Sequence, residues 1–260
     1  MSAKEAPRLR TRIGTLSEDS ITVCGHDLVG GLIGRIDVGE LFYLEVTGRL
    51  PDEAQGRMLN ALMVAIAEHG MMPSVIAARL TYLGAPESLQ GAVASGLLGA
   101  GDVFVGPAGN VARMLQVEAA ELDGDPSERA TRIVERYVAA GRRLPGLGHP
   151  HHAIDPRSTR LLELQRELGL PSRHSAQMLE IQRQAIARAG KHLTFNAVAA
   201  VGSIASDLGI DWRAVRGIGL VARTVGLVGH LLEEMKRPSA QAIWDLVHDR
   251  TDYSDPGADF

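Results

Sequence analysis

Apolar residues recur at three- and four-residue spacing through most of the chain, in runs of ordinary helical length cut by Gly and Pro. The pattern predicts helices over 51–69, 73–83, 87–98, 110–122, 126–140, 156–168, 173–189, 194–208 and 211–236. Period-two alternation is confined to short stretches near 10–13 and 21–23, which predict one small strand pair. No internal repeat is present, and the Pro- and Gly-containing acidic stretch 250–260 reads as an extended arm. The expected fold class is all-α. Two segments, 61–101 and 194–209, are rich in Ala, Gly and Leu with few charges. They predict buried helices in close approach, an arrangement that also suits a ligand cleft between two helical layers.

Composition narrows the function classes. With 45% apolar residues over 260 positions the chain has enough hydrophobic material for a sizeable core. A net charge of −4 and the lack of any Lys/Arg-rich run argue against a nucleic-acid surface. The opening residues carry no apolar core of signal-peptide length, and no apolar run reads as long enough to span a bilayer, so the expected compartment is the cytoplasm. A single cysteine, Cys24, fits a reducing environment.

The chemistry concentrates in Gly146-Leu-Gly148-His149-Pro-His-His-Ala-Ile-Asp155-Pro156-Arg157. His149 can polarise or protonate an oxygen near neutral pH, and Arg157 offers a planar fork for a carboxylate or phosphate in the first turn of a helix opened by Pro156. The competing readings are a solvated polar loop and a metal site built from His149, His151 and His152. Adjacent histidines point in different directions and Cys24 stands alone, so no metal is expected. Four more residues qualify for the same site: His69 at a helix end, and Arg79, Arg223 and Arg237. For Arg223 an internal ion pair with Glu233 or Glu234 is the alternative, and for His69 a hydrogen bond to a helix-end carbonyl.

Taken in order, these segments resemble the citrate synthase superfamily, with a nearer likeness to citryl-CoA lyase and the lyase domain of ATP-citrate lyase. The likeness runs from Cys24-Gly-His-Asp-Leu28 and Phe42 to Pro51, through Glu68-His69-Gly70, Gly96 to Asp102 and Gly148 to Arg157, to Ala222-Arg223 through His230 and Lys236-Arg237-Pro238. The resemblance implies an all-helical homodimer with a large domain (1–110 and 194–260) and a small one (111–193) carrying the His149 loop. The implied substrates are a coenzyme A thioester and a di- or tricarboxylate, with no metal, membrane or nucleic acid involved. His149 would polarise the oxygen at the carbon–carbon bond being broken or made, and His69 would face the substrate or the enolate oxygen. Arg157 and Arg223 would clamp carboxylates, Arg79 would assist, and Arg237 would reach the partner subunit's site. The implied reaction is cleavage of a carboxylated 3-hydroxyacyl-CoA to acetyl-CoA and a 2-oxo acid such as oxaloacetate.

Two positions depart from the pattern. The family's Asn-Val-Asp type sequence stands here as Asn196-Ala197-Val198, so the proton-carrying acid is replaced by Val198. Gly106 stands where full-length synthases carry a further histidine, a loss shared with the lyases. Val198 keeps two other readings open: a non-catalytic homologue that binds a CoA ester or an organic acid, and a thioester hydrolase using His149 or His69 to activate water.

Overall fold

The computed structural model describes residues 9–148 and 153–255. Among them a small antiparallel sheet precedes eleven α-helices. Strand β1 (Gly14–Leu16) pairs with β2 (Ile21–Val23), placing Thr15 opposite Thr22, and β2 pairs with β3 (His26–Asp27). The first strand lies a few residues later than alternation alone suggests.

Three helices open on a reciprocal cap. Asp37 and Glu40 open α1 (Val38–Thr47), Asp52 and Gln55 open α2 (Glu53–Ala67), and Asp125 and Glu128 open α6 (Pro126–Ala139). Each cap satisfies orphan N–H groups and contributes about 1 kcal/mol. Pro51 therefore precedes α2 rather than opening it, and the helix stops at Ala67, two residues before His69. The hydrophobic pattern missed α1, whose buried side is only Gly39, Tyr43 and Leu44. It also missed α11 (Ala240–His248), where Ala240 alone is buried while Trp244, Leu246 and Val247 stay exposed.

Helix α3 (Pro73–Gly84) packs on α4 (Leu89–Ala100). The chain then continues to Glu118 through α5 (Gly106–Arg113), where two separate helices were expected. Gly101, at φ +43°, breaks the axis, a conformation an L side chain resists. After it the Gly101–Val105 turn widens so that the Gly106 amide reaches back five residues to the Gly101 carbonyl. That wide turn projects Val103, Phe104 and Val105 sideways, and these three later form a wall of the cleft. The remaining helices are α7 (Pro156–Glu167), α8 (Arg173–Ala189), α9 (Ala197–Asp207) and α10 (Trp212–Lys236).

One core joins Tyr43, Met58 and Leu62 to Met114, Ile133, Met178, Ile181 and Ile204. It crosses both boundaries expected at 110/111 and 193/194, so the two parts share an interior. A second cluster of Val75, Ala78, Ala92, Leu227 and Leu231 ties α3 and α4 to α10.

Burial of 61–101 is incomplete, against expectation: Val64, Leu80, Leu83 and Leu98 are exposed. The sequence reading of no membrane-length run also needs correction. Leu89–Glu118 and Trp212–Lys236 are long and apolar enough to cross a membrane by length and composition, with mean hydropathies of 1.2 and 1.3. In this fold α10 packs against α2, α3, α4, α5 and α9, with 28% of its apolar window buried.

Candidate active site

The approach to the site is built by the segment before the histidine loop. The Asn196 amide donates to the Gly146 carbonyl at 3.2 Å, the Gly148 amide donates to the Thr194 carbonyl at 2.7 Å, and Leu147 bridges to Phe195. Asn196 adds a clamp of its own: its side-chain oxygen caps α9 at the Ala199 amide, 3.1 Å away, while its amide nitrogen donates to the Gly148 carbonyl at 2.9 Å. Gly146 has φ +79°, and a Cβ there would meet the Ala199 Cβ at 2.8 Å, so only glycine lets the loop sit on α9. The backbone up to Gly148 is thus held on α9. His149, His151 and His152 themselves lie outside the described residues.

On the other side of the loop, Asp155 is fully buried and holds four donors. It accepts from the Arg157 amide at 3.1 Å, from Arg157 Nε at 3.0 Å and Nη2 at 2.9 Å, and from the Ala197 amide at 2.8 Å. Burial pushes the Asp155 pKa up, yet the Arg157 and Ala197 hydrogen bonds outweigh it and leave the carboxyl below its ordinary value. One carboxylate therefore caps α7, reaches the start of α9 and fixes the Arg157 fork. Among the described residues no hydrogen bond of Nη1 accompanies these, so that edge of the guanidinium can face a ligand.

His69, Arg157, Val198 and Arg223 are brought together around one cleft of about 240 Å³, whose apolar wall includes Phe104 and Val105. Arg223 Nη1 is buried without a hydrogen-bond partner among the described residues. Burial lowers the Arg223 pKa; the Glu68 charge opposes that shift and the Arg157 charge adds to it. The internal pair with Glu233 or Glu234 is not made. A half-buried guanidinium beside a second one is costly until an anion arrives, so the pair fits a carboxylate or phosphate bearing more than one acceptor. Replacing Arg223 with Met is expected to stabilise the ligand-free protein by about 1–2 kcal/mol, a rise of about 2–4 °C in Tm, and to abolish polycarboxylate binding. Scanning calorimetry and titration calorimetry read the two effects separately.

Arg79 is elsewhere, which corrects its assignment to the substrate. It is almost fully buried, with Nη1 on Glu234 at 2.6 Å and on Ser239 Oγ at 3.0 Å, and Nη2 on Glu233 and on His230 Nδ1, the last at 2.8 Å. A guanidinium only donates, so His230 Nδ1 accepts and the ring proton sits on Nε2. Nε2 then donates to Glu68 Oε1 at 3.0 Å, and the same oxygen receives the amides of His69 at 2.8 Å and Gly70 at 2.6 Å. Burial pushes the Glu68 pKa up, but these hydrogen bonds bring it below its ordinary value. Arg79 therefore acts at a distance, holding the His230 tautomer that helps fix the backbone carrying His69. Arg237 stands exposed at the end of α10 and does not line this cleft.

Sequence reading missed Asp155, Glu68 and His230 as positioning residues. Asp155 was readable as an N-cap two residues before a basic side chain, whereas the Glu68 to His230 contact spans 162 positions and has no local signal. A larger groove of about 780 Å³ opens between the starts of α6 and α8, near Gln116, Arg129, His174 and Gln177. Its polar side chains are largely committed: His174 to Asp207, Gln116 to Ser206, Ile210 and Trp212, Gln177 to Pro126. The smaller cleft, with its unpartnered guanidinium nitrogen, is the better candidate.

Residues 34–244 match the family model described as citrate synthase, C-terminal domain. The chain belongs to the citrate synthase family. Within that family it is similar to the solved structure of citryl-CoA lyase from Hydrogenobacter thermophilus, with a TM-score of 0.86, 29% identity and 97% of each chain covered. It shares a fold, at a TM-score of 0.78 and 20% identity, with the Methanosaeta concilii ATP citrate lyase solved in complex with (3S)-citryl-CoA, covering 98% of this chain and 43% of that one. A probable ATP-citrate synthase of Dictyostelium discoideum is 27% identical over 207 residues, 72% of this chain and 32% of the relative. The chain spans between about a third and a half of the length of the curated relatives it matches.

Proposed function

We propose that the protein cleaves, or forms, the carbon–carbon bond of a carboxylated 3-hydroxyacyl-CoA in the manner of citryl-CoA lyase, yielding acetyl-CoA and a 2-oxo acid such as oxaloacetate. The observation that supports it most directly is the Arg157–Arg223 pair on a cleft also lined by His69, in a member of this family. In the cleavage direction the 3-hydroxyl gives up its proton, the oxygen becomes the ketone of the oxo acid, and the carbon–carbon bonding pair passes to the thioester as an enolate. The enolate takes a proton at carbon to give acetyl-CoA. His149 is assigned to the hydroxyl oxygen and His69 to the enolate oxygen, where a positioned donor stabilises charge as it forms. Arg157 and Arg223 hold the carboxylates, Arg237 serves the partner subunit's site, and no metal enters. Incubation with citryl-CoA separates this reading from its rivals. Lyase action gives oxaloacetate and acetyl-CoA, a hydrolase gives citrate and free CoA, and a pure binder gives neither.

Arg157→Lys is expected to weaken oxaloacetate or citrate binding by about 1–2 kcal/mol, since an ammonium cannot keep the Asp155 fork and face the ligand together. Titration calorimetry reads the loss, and unchanged affinity removes Arg157 from the clamp.

A homodimer through α2, α3 and α4 accompanies this reading. Val64, Leu80, Leu83 and Leu98 are apolar and exposed on those helices, and closed twofold pairing is the commonest way to cover such a face. Light scattering is expected to give twice the chain mass at micromolar concentration; a monomer there removes the dimer.

A further inference from the structure

Beside Val198 the cleft opens into a second, smaller recess. Ile66, Phe104, Val105, Val198 and Arg223 line both spaces, and Gly219 of α10 adds to the wall of the recess alone. Its volume is about 40 Å³. A water needs about 10–15 Å³ of such space together with two to four polar partners, so there is room for about three heavy atoms. Arg223 is the one polar side chain on its wall among the described residues, and the rest is hydrocarbon. Such a recess is poorly hydrated, and an alkyl group fills it better than water does. A Cβ at Gly219 would lie 2.8 Å from Val105 Cγ1, so any side chain there forces Val105, which lines the recess, to shift.

We propose that this recess also receives a short alkyl branch on the reacting acyl carbon, so that alkyl-substituted CoA esters bind more tightly than the unbranched one and their cleavage releases propionyl-CoA or butyryl-CoA. The inference rests on the reading of the cleft as a CoA-ester site. Val198 is then a specificity-determining residue, its methyls forming the surface against which the branch packs. Arg223 sets the depth: its guanidinium binds the substrate's carboxylate at the mouth while the branch passes inward.

The test is a chain-length series of acetyl-, propionyl-, butyryl- and hexanoyl-CoA, titrated calorimetrically into the protein with oxaloacetate present to fill the anion clamp. Affinity is expected to rise about three- to fivefold for each of the first two added methylenes and to stop rising at hexanoyl-CoA, where the recess is full. In Gly219→Ala, a substitution that favours the helix, the increments are expected to vanish, with acetyl-CoA as the reference within each protein. A flat series in the unaltered protein, or increments that survive in Gly219→Ala, overturns the alkyl recess while leaving the CoA-ester site intact. If none of the four esters binds, the CoA-ester reading fails and the recess proposal falls with it.

Discussion

Val198→Asp is expected to raise citryl-CoA turnover by about 10²–10⁴-fold, the range that a positioned proton carrier supplies. Val198 sits in the first turn of α9, half-buried on the wall of the cleft, at the position to which the sequence resemblance assigns the proton-carrying acid. A valine cannot deliver the proton that the enolate needs at carbon, so the unaltered protein should be slow on this substrate. A carboxylate here costs stability through desolvation, but Arg223 lines the same wall and offsets part of that cost. The check is a single-turnover assay for oxaloacetate alongside a binding titration. A variant that folds, binds citryl-CoA and gains no rate shows that the proton does not travel through position 198. The choice then falls to another acid or to a binding role.

The second large effect concerns stability. Glu234 is buried to 4% exposure and takes Arg79 Nη1, the Ser239 hydroxyl and the amides of Ser239 and Ala240, all within 2.9 Å. Burial raises its pKa, yet the Ala240 amide, Arg79 and Ser239 together bring it down to about 2 from 4.5. A depressed folded-state pKa adds stability that is complete above the unfolded value and disappears as the carboxylate is forced to protonate. The loss therefore falls between pH 4.5 and about pH 2, and the contribution above that window is about 3 kcal/mol. Glu234→Gln should cost about 3 kcal/mol at pH 7, because it leaves buried Arg79 with Glu233, which is 55% exposed, as its remaining carboxylate. Urea unfolding at pH 7 and at pH 3 measures both effects. The unfolding free energies of parent and variant should differ by about 3 kcal/mol at pH 7, and the gap should narrow to about 1.4 kcal/mol at pH 3. An equal gap at both would place the loss in packing and not in charge.

Most of the helical skeleton was legible because local causes make it: three- and four-residue spacing sets the buried face, and Asp or Asn before the first turn with Gly after the last marks the ends. Hence 173–189 is found as expected, and α7 and α10 come within a residue of their predicted bounds. Where a helix buries little, as α1 and α11 do, periodicity carries no information, and the capping box at Asp37 and Glu40 was the readable sign. The order of motifs along the chain carried the family, because that order reflects a shared fold and not a local preference. The loop and the Asn196 register picked out Arg157 and Val198 as candidates, and both line the cleft.

Tertiary structure alone decided which arginine is free. Arg79 and Arg223 look alike in sequence, each in an apolar helical setting, and the sequence suggests Glu233 and Glu234 as partners for Arg223. Packing of α3 against the end of α10 gives both carboxylates to Arg79, whose Nε stays unpartnered, while Arg223, earlier on α10, lines the cleft with Nη1 unpartnered among the described residues. Pairing over 154 and 155 positions depends on where helices cross, which the one-dimensional pattern does not encode. The same holds for the alkyl recess at Gly219. It exists because the wide turn after Gly101 turns Val105 toward a glycine 114 residues away, and a space between two elements belongs to neither of their sequences.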